Sequence, residues 1–109
     1  MAGKYEIKKT TDGKYAFNLK AGNGEIILSS QRYESKAAAL NGIESCRKNL
    51  LVEDRFERRE AKDGQHYFVV KAGNHEVIGR SELYRSKSGM ENGISSCMRN
   101  ADSPVVDLT

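Results

Sequence analysis

Sliding the chain along itself by 51 positions brings about twenty identical residues into register without a gap. Asp12-Gly13, Phe17, Lys20-Ala21-Gly22-Asn23, Glu25 and Ile27 recur as Asp63-Gly64, Phe68, Lys71-Ala72-Gly73-Asn74, Glu76 and Ile78. The match continues through Ser30, Tyr33, Ser35-Lys36, Asn41-Gly42-Ile43, Ser45-Cys46 and Asn49, each with its partner 51 residues on. Chance does not give a gapless match of this length, so the chain is a tandem duplication. The repeats span 4–50 and 55–101, and 102–109 remain as a loose C-terminal tail carrying the only proline. A unit of about 50 residues is marginal alone. The link between the copies holds Leu50, Leu51 and Val52 rather than a Gly/Ser spacer, so residues 1–109 are expected to form one domain with one core.

Each copy reads as three strands and a helix. Asp12-Gly13 marks a tight hairpin turn between strands near 5–9 and 15–20. Tyr15, Phe17 and Leu19 alternate with Ala16 and Asn18, which places one apolar face on the second strand. Ala21-Gly22-Asn23-Gly24 turns the chain into a third strand at 25–29; the second copy puts His75 where the first has Gly24. Ser35 and Ser86 are positioned as helix N-caps. Ala39, Ile43, Cys46 and Leu50 fall at helical spacing, as do Met90, Ile94, Cys97 and Ala101. Gly42 and Gly93 lie mid-helix, where glycine costs about 1 kcal/mol relative to alanine. Their repetition points to tight packing, with a backbone passing close by.

The run from Asp12 to Ser30, followed by Tyr33, Ser35-Lys36 and Asn41-Gly42-Ile43, resembles the YegP-like family of small, mostly bacterial proteins. The resemblance spans residues 5 to about 101. It implies an α+β fold in which two β-β-β-α repeats form one shared antiparallel sheet, with both helices on one face and the C-terminal helices exchanged. Single-copy members would build the same object by dimerisation, so this chain is expected to be a monomer with internal pseudo-two-fold symmetry. The resemblance brings no catalytic residues. The second copy departs from it at His75, Gly79 and Arg80, where the first has Gly24, Leu28 and Ser29, so the third strand of that copy is its least conforming part.

The residue types exclude most chemistries. Cys46 and Cys97 lack a second thiol or histidine at ligand spacing and lie on the core stripe, where they act as small apolar residues. His66 and His75 have no histidine at the matching position of the first copy, so neither metal nor nucleophile site is expected. Glu6 and Glu57, or Glu25 and Glu76, are duplicated carboxylates in like settings, whereas acid–base catalysis needs unlike ones. Cross-strand pairing with Lys20 and Lys71 accounts for them more simply. No enzyme, cofactor or metal is expected. No apolar run is long enough to cross a membrane and the first residues form no signal core, which makes a cytoplasmic, membrane-free protein the expectation.

That leaves a surface. Net charge is +3; residues 1–50 hold nine Lys/Arg against five Asp/Glu, and residues 51–109 nine against ten. If Phe17 and Leu19 face the helices, Lys8, Lys20, Arg59, Tyr67 and Lys71 face away. Such a face suits a protein partner in a non-enzymatic interaction module. The alternative is weak, salt-dependent binding of single-stranded nucleic acid, with cations on phosphates and one ring for stacking. Ile26, Leu28, Val69 and Val77 are assigned to the same side, more apolar surface than a solvated sheet needs, so either the tail residues Val105, Val106 and Leu108 fold across it, or a protein partner does, or the third strand faces the other way.

Overall fold

The turn chemistry acts as the sequence requires: Gly13 and Gly64 both take positive φ, +81° and +84°, between the first two strands of each repeat. A computed structural model of the protein describes residues 3–109. The first repeat supplies β1 (Lys4–Lys9), β2 (Tyr15–Lys20), β3 (Ile26–Ser29) and α1 (Lys36–Asn49). The second supplies β4 (Phe56–Glu60), β5 (His66–Lys71), β6 (Val77–Arg80) and α2 (Lys87–Asn100), followed by β7 (Val105–Asp107). His75 takes over the left-handed position of Gly24, at φ 70° against +86°. A β-carbon there costs about 1 kcal/mol, which the turn absorbs.

Ser35 and Ser86 cap the helices, each hydroxyl accepting the N–H three residues on, from Ala38 at 3.1 Å and Gly89 at 3.0 Å. All eight residues of the two predicted stripes are buried. They meet Tyr5, Ile7, Phe17, Leu19, Phe56, Phe68 and Val70 from the sheet in a single core. Among the described residues, no helix is long and apolar enough to cross a membrane.

The seven strands run in the order β4-β5-β6-β3-β2-β1-β7. The two halves join where β3 and β6 pair antiparallel through Ser29 and Arg80, residues at matching repeat positions, so a pseudo-two-fold axis passes through that pair. The helix exchange takes the form of straddling. Helix α1 packs on β1 and β2 of its own repeat and on β5 and β6 of the other, while α2 packs on β5 and also on β2 and β3. Neither repeat therefore owns its core.

Three expectations are corrected. The tail is not loose, and it does not cross the outer face. Val105–Asp107 lies parallel to β1 at the sheet edge, the one parallel pair among the described residues. Tyr5 N–H donates to the Pro104 carbonyl and Leu108 N–H to that of Ile7, both at 2.8 Å. Tyr5 Oη donates to the Ala101 carbonyl at 2.8 Å, and Lys36 pairs with Asp107. Proline is tolerated just ahead of a strand because no ladder bond needs its nitrogen.

The second correction concerns Leu28, which faces the core. Leu19 pairs with Leu28 but Lys20 with Ile26, so Ile27 is an extra, bulged residue and both it and Leu28 turn inward. The second repeat repeats the bulge at Ile78. Third, the group close to Gly42 and Gly93 is a side chain rather than a backbone. A β-carbon on Gly42 would lie 2.4 Å from Tyr33 Oη, and one on Gly93 2.3 Å from Tyr84 Oη.

The tail gives a pH signature. The hydrogen bond from Lys36, with further ones from Thr109, holds the Asp107 carboxyl at about 2, below its ordinary 3.8. A carboxyl that binds its proton less readily in the fold stabilises the fold above pH about 4, and that stability is lost as pH falls toward 2. Asp107→Asn should therefore lower the melting temperature at neutral pH, and its acid-unfolding curve should converge with that of the wild type near pH 2. Parallel curves through this range would remove the Lys36–Asp107 pair as a source of stability.

Candidate functional site

Register assigns every strand residue to a face. Lys4, Glu6 and Lys8 lie beside Lys20, Asn18 and Ala16, and Glu57 and Arg59 beside Val69 and Tyr67. Arg80 and Val77 continue that side from Val69 and Lys71, as do Ser29 and Ile26 from Asn18 and Lys20. All of these point away from the helices. The five candidate residues thus share one face, but they form two groups. Lys8 and Lys20 lie on β1 and β2; Arg59, Tyr67 and Lys71 lie on β4 and β5. Strands β3 and β6 separate the groups, and three strand spacings put β2 and β5 about 14 Å apart.

Most of these cations are engaged. Glu6 sits between Lys20 at 2.8 Å and Lys4 at 3.2 Å. At the matching position Glu57 pairs with Lys71 at 2.9 Å and also with Arg59. The lysine hydrogen bonds come first in holding both carboxyls below the usual range, from Lys20 at Glu6 and from Lys71 at Glu57. The cross-strand pairing read from the sequence forms for Glu6 and Glu57, whereas Glu25 and Glu76 are exposed in their turns and make no ion pair among the described residues. Arg59 is pushed further into its charged form by Glu57 and then by Tyr67. Lys8 is exposed and has no carboxylate within ion-pair distance among the described residues.

Sequence reasoning missed Arg80. Its guanidinium lies 4.9 Å from the centre of the Tyr67 ring and so occupies the one aromatic face offered for stacking. The signal lay in the departure from the repeat, since Arg80 replaces Ser29 at the axis. Val69 is buried on this outer side, apart from the main core, and Ile26 and Val77 are half-buried beside it. The centre of the face therefore carries Arg80, with Val69 buried beside it and Ile26 and Val77 on opposite sides of the axis, and its flanks are ion-paired.

The remaining candidates take structural roles. Burial pushes the Cys46 thiol up to about 12, and burial followed by Cys46 does the same to Cys97. Neither is a thiolate at neutral pH. His66 starts β5, half-buried, with its backbone bridged to Tyr84, and His75 is exposed in its turn. Among the described residues no three of His, Cys, Asp and Glu converge on a point where a metal could sit.

Comparison with known proteins places this architecture. The family model described as "Domain of unknown function (DUF1508)" matches twice, over residues 11–57 and 61–107. The chain is 54% identical over 108 residues to the UPF0339 protein YegP of Yersinia pestis, covering 98% of this chain and 96% of that one. A UPF0339 protein of Mannheimia succiniciproducens is 52% identical over the same length and shares. The solution NMR structure of YegP from E. coli, titled a protein of unknown function, superposes with a TM-score of 0.94 at 44% identity, over 100% of this chain and 95% of that one. The UPF0339 protein of Shewanella oneidensis gives the same TM-score and identity, over 100% and 93%. None of these names describes an activity. With its repeat matched twice and its fold shared end to end, the chain belongs to the UPF0339 family of YegP-like proteins.

Proposed function

We propose that the protein is a cytoplasmic, non-enzymatic interaction module that receives a protein partner on its uncovered sheet face. The observation that carries this reading is the pair of half-buried apolar residues Ile26 and Val77, set symmetrically about Arg80 and rimmed by the Glu6–Lys20 and Glu57–Lys71 pairs. Recognition surfaces combine apolar patches that exclude water with polar groups that fix orientation, and arginine is enriched in them. Ion-paired flanks keep the free face soluble and still offer both signs of charge to a partner. The duplicated carboxylates have like environments, and both thiols are sealed in the core, so the chain's chemistry is spent on structure.

Ile26→Glu with Val77→Glu places charge at both apolar positions without entering the core. A photo-crosslinking residue at position 29 should trap a discrete protein adduct in cells, and the double variant should lose that adduct while keeping its melting temperature. An adduct unchanged in the variant would move the interaction off this face, and none with the wild type would end the reading.

Single-stranded nucleic acid is the weaker alternative. It needs Lys8, Lys20, Arg59 and Lys71 free and the Tyr67 ring open, whereas three of those cations face a glutamate and Arg80 covers the ring. Fluorescence anisotropy with labelled oligonucleotides at about 50 and 200 mM salt should show no binding; micromolar binding that weakens steeply with salt would reverse the order of the two readings.

A further inference from the structure

The pseudo-two-fold axis gives every strand a counterpart except β7. On the outer side of β1 lies β7, whereas β4, which matches β1 in the repeat, ends the sheet. The two edges begin alike. Tyr5 N–H donates to the carbonyl of Pro104, and Phe56 N–H donates to that of Glu53, with both members of the pair displaced by 51 residues. They then diverge. Beside β1 the chain runs on through Val106 and Asp107 until Leu108 N–H reaches the Ile7 carbonyl. Beside β4 it turns through a 3₁₀ turn at Glu53–Arg55 and becomes β4 itself. The outward backbone groups of Arg58, which match those of Ile7, are left facing solvent.

A groove of about 500 Å³ lies under this open edge, lined by Arg58, His66, Lys87, Met90 and Glu91 among others. Its charges mark what is missing. Lys36, at the start of α1, pairs with Asp107 of β7. Lys87 is its match at the start of α2 and has no ion-pair partner among the described residues. Glu91, one turn on from Lys87, feels its charge but pairs with Arg58 at 2.9 Å, and Glu53 reaches the same arginine at 3.3 Å, so neither makes an ion pair with Lys87.

We propose that the β4 edge is a docking site for a short extended segment of a partner protein. The segment lies parallel to β4 and carries a carboxylate residue flanked by apolar ones, in the manner of Val106-Asp107-Leu108 on β1. Backbone bonds to Arg58 supply the affinity, as in other strand additions, and the carboxylate meets Lys87. A second copy of this chain fits poorly. Its own tail is already seated on its β1, and two β4 strands meeting antiparallel about Arg58, whose backbone groups face outward, would set that arginine against its own copy. The proposal rests on the reading of the chain as an interaction module but uses the edge instead of the face.

The test is residue-resolved NMR of the full chain titrated with a synthetic peptide copying residues 103–109. Saturable shifts confined to β4 and the first turn of α2 are expected at millimolar peptide. Binding should be about fivefold weaker when the peptide aspartate is replaced by asparagine, and likewise for the Lys87→Gln protein. Shifts at β1 instead, an absence of shifts, or concentration-dependent shifts at β4 without peptide would each overturn the proposal. Because Ile26→Glu with Val77→Glu leaves the edge untouched, that variant should still bind the peptide even if the outer-face reading fails.

Discussion

Gly79→Leu, which restores in the second repeat the residue of the first, should destabilise the fold by about 3 kcal/mol, the upper end for overpacking a filled core. At this position one half must be small because the other is large. Leu28 is fully buried beside the axis, and a β-carbon on Gly79 would lie 2.8 Å from two of its side-chain atoms. Surrounding strands hold both backbones, so neither side can withdraw. The reciprocal change, Leu28→Gly, opens a cavity and should cost about as much or more. Combining the two exchanges large for small across the axis and should recover part of the loss. Denaturant unfolding of the three variants measures this directly. A double variant as unstable as the sum of the singles would mean that the two positions do not share one space.

The second large effect is expected at Gly42. Alanine in mid-helix ordinarily gains about 1 kcal/mol over glycine. Here Gly42→Ala should instead destabilise by about 2 kcal/mol, because its methyl enters the space of the Tyr33 ring. The ring has little freedom to yield: it stacks on Phe17 with 11° between the planes, and Tyr33 exchanges two backbone hydrogen bonds with Tyr15. Tyr33→Leu should rescue the alanine variant by making room. Gly93→Ala against Tyr84→Leu gives an independent repetition, since Tyr84 stacks on Phe68 in the same way. An alanine variant more stable than wild type would show that the ring moves aside at no cost.

Where an element carried its own local signal, it was legible in the sequence. The Asp-Gly hairpins, both serine caps and both helical stripes needed only turn chemistry and periodicity, and Glu6 and Glu57 needed only the register of one hairpin. Failures came where one part of the fold depends on a distant part. The bulge at Ile27 adds a residue to β3 opposite β2, which sends Leu28 to the face that simple alternation denies it. Val105–Asp107 is three residues long, too short for a period, and pairs with a strand about a hundred residues earlier. The candidate surface was placed on the correct side by alternation alone, yet its electrostatics were not. That Arg59 would share Glu57 with Lys71, and that Arg80 would lie over Tyr67, depends on side-chain reach across the assembled sheet.

The parallel seating of β7 on β1 also sets how the molecule bears load. The chain enters β1 at one end of this pair and leaves β7 at the other, so a pull on its two ends draws the strands past each other along their length. Their cross-strand bonds then take the force together, in shear, instead of opening one after another like a zip. A sheet that kept its tail free would let go of β1 from the edge at far lower force.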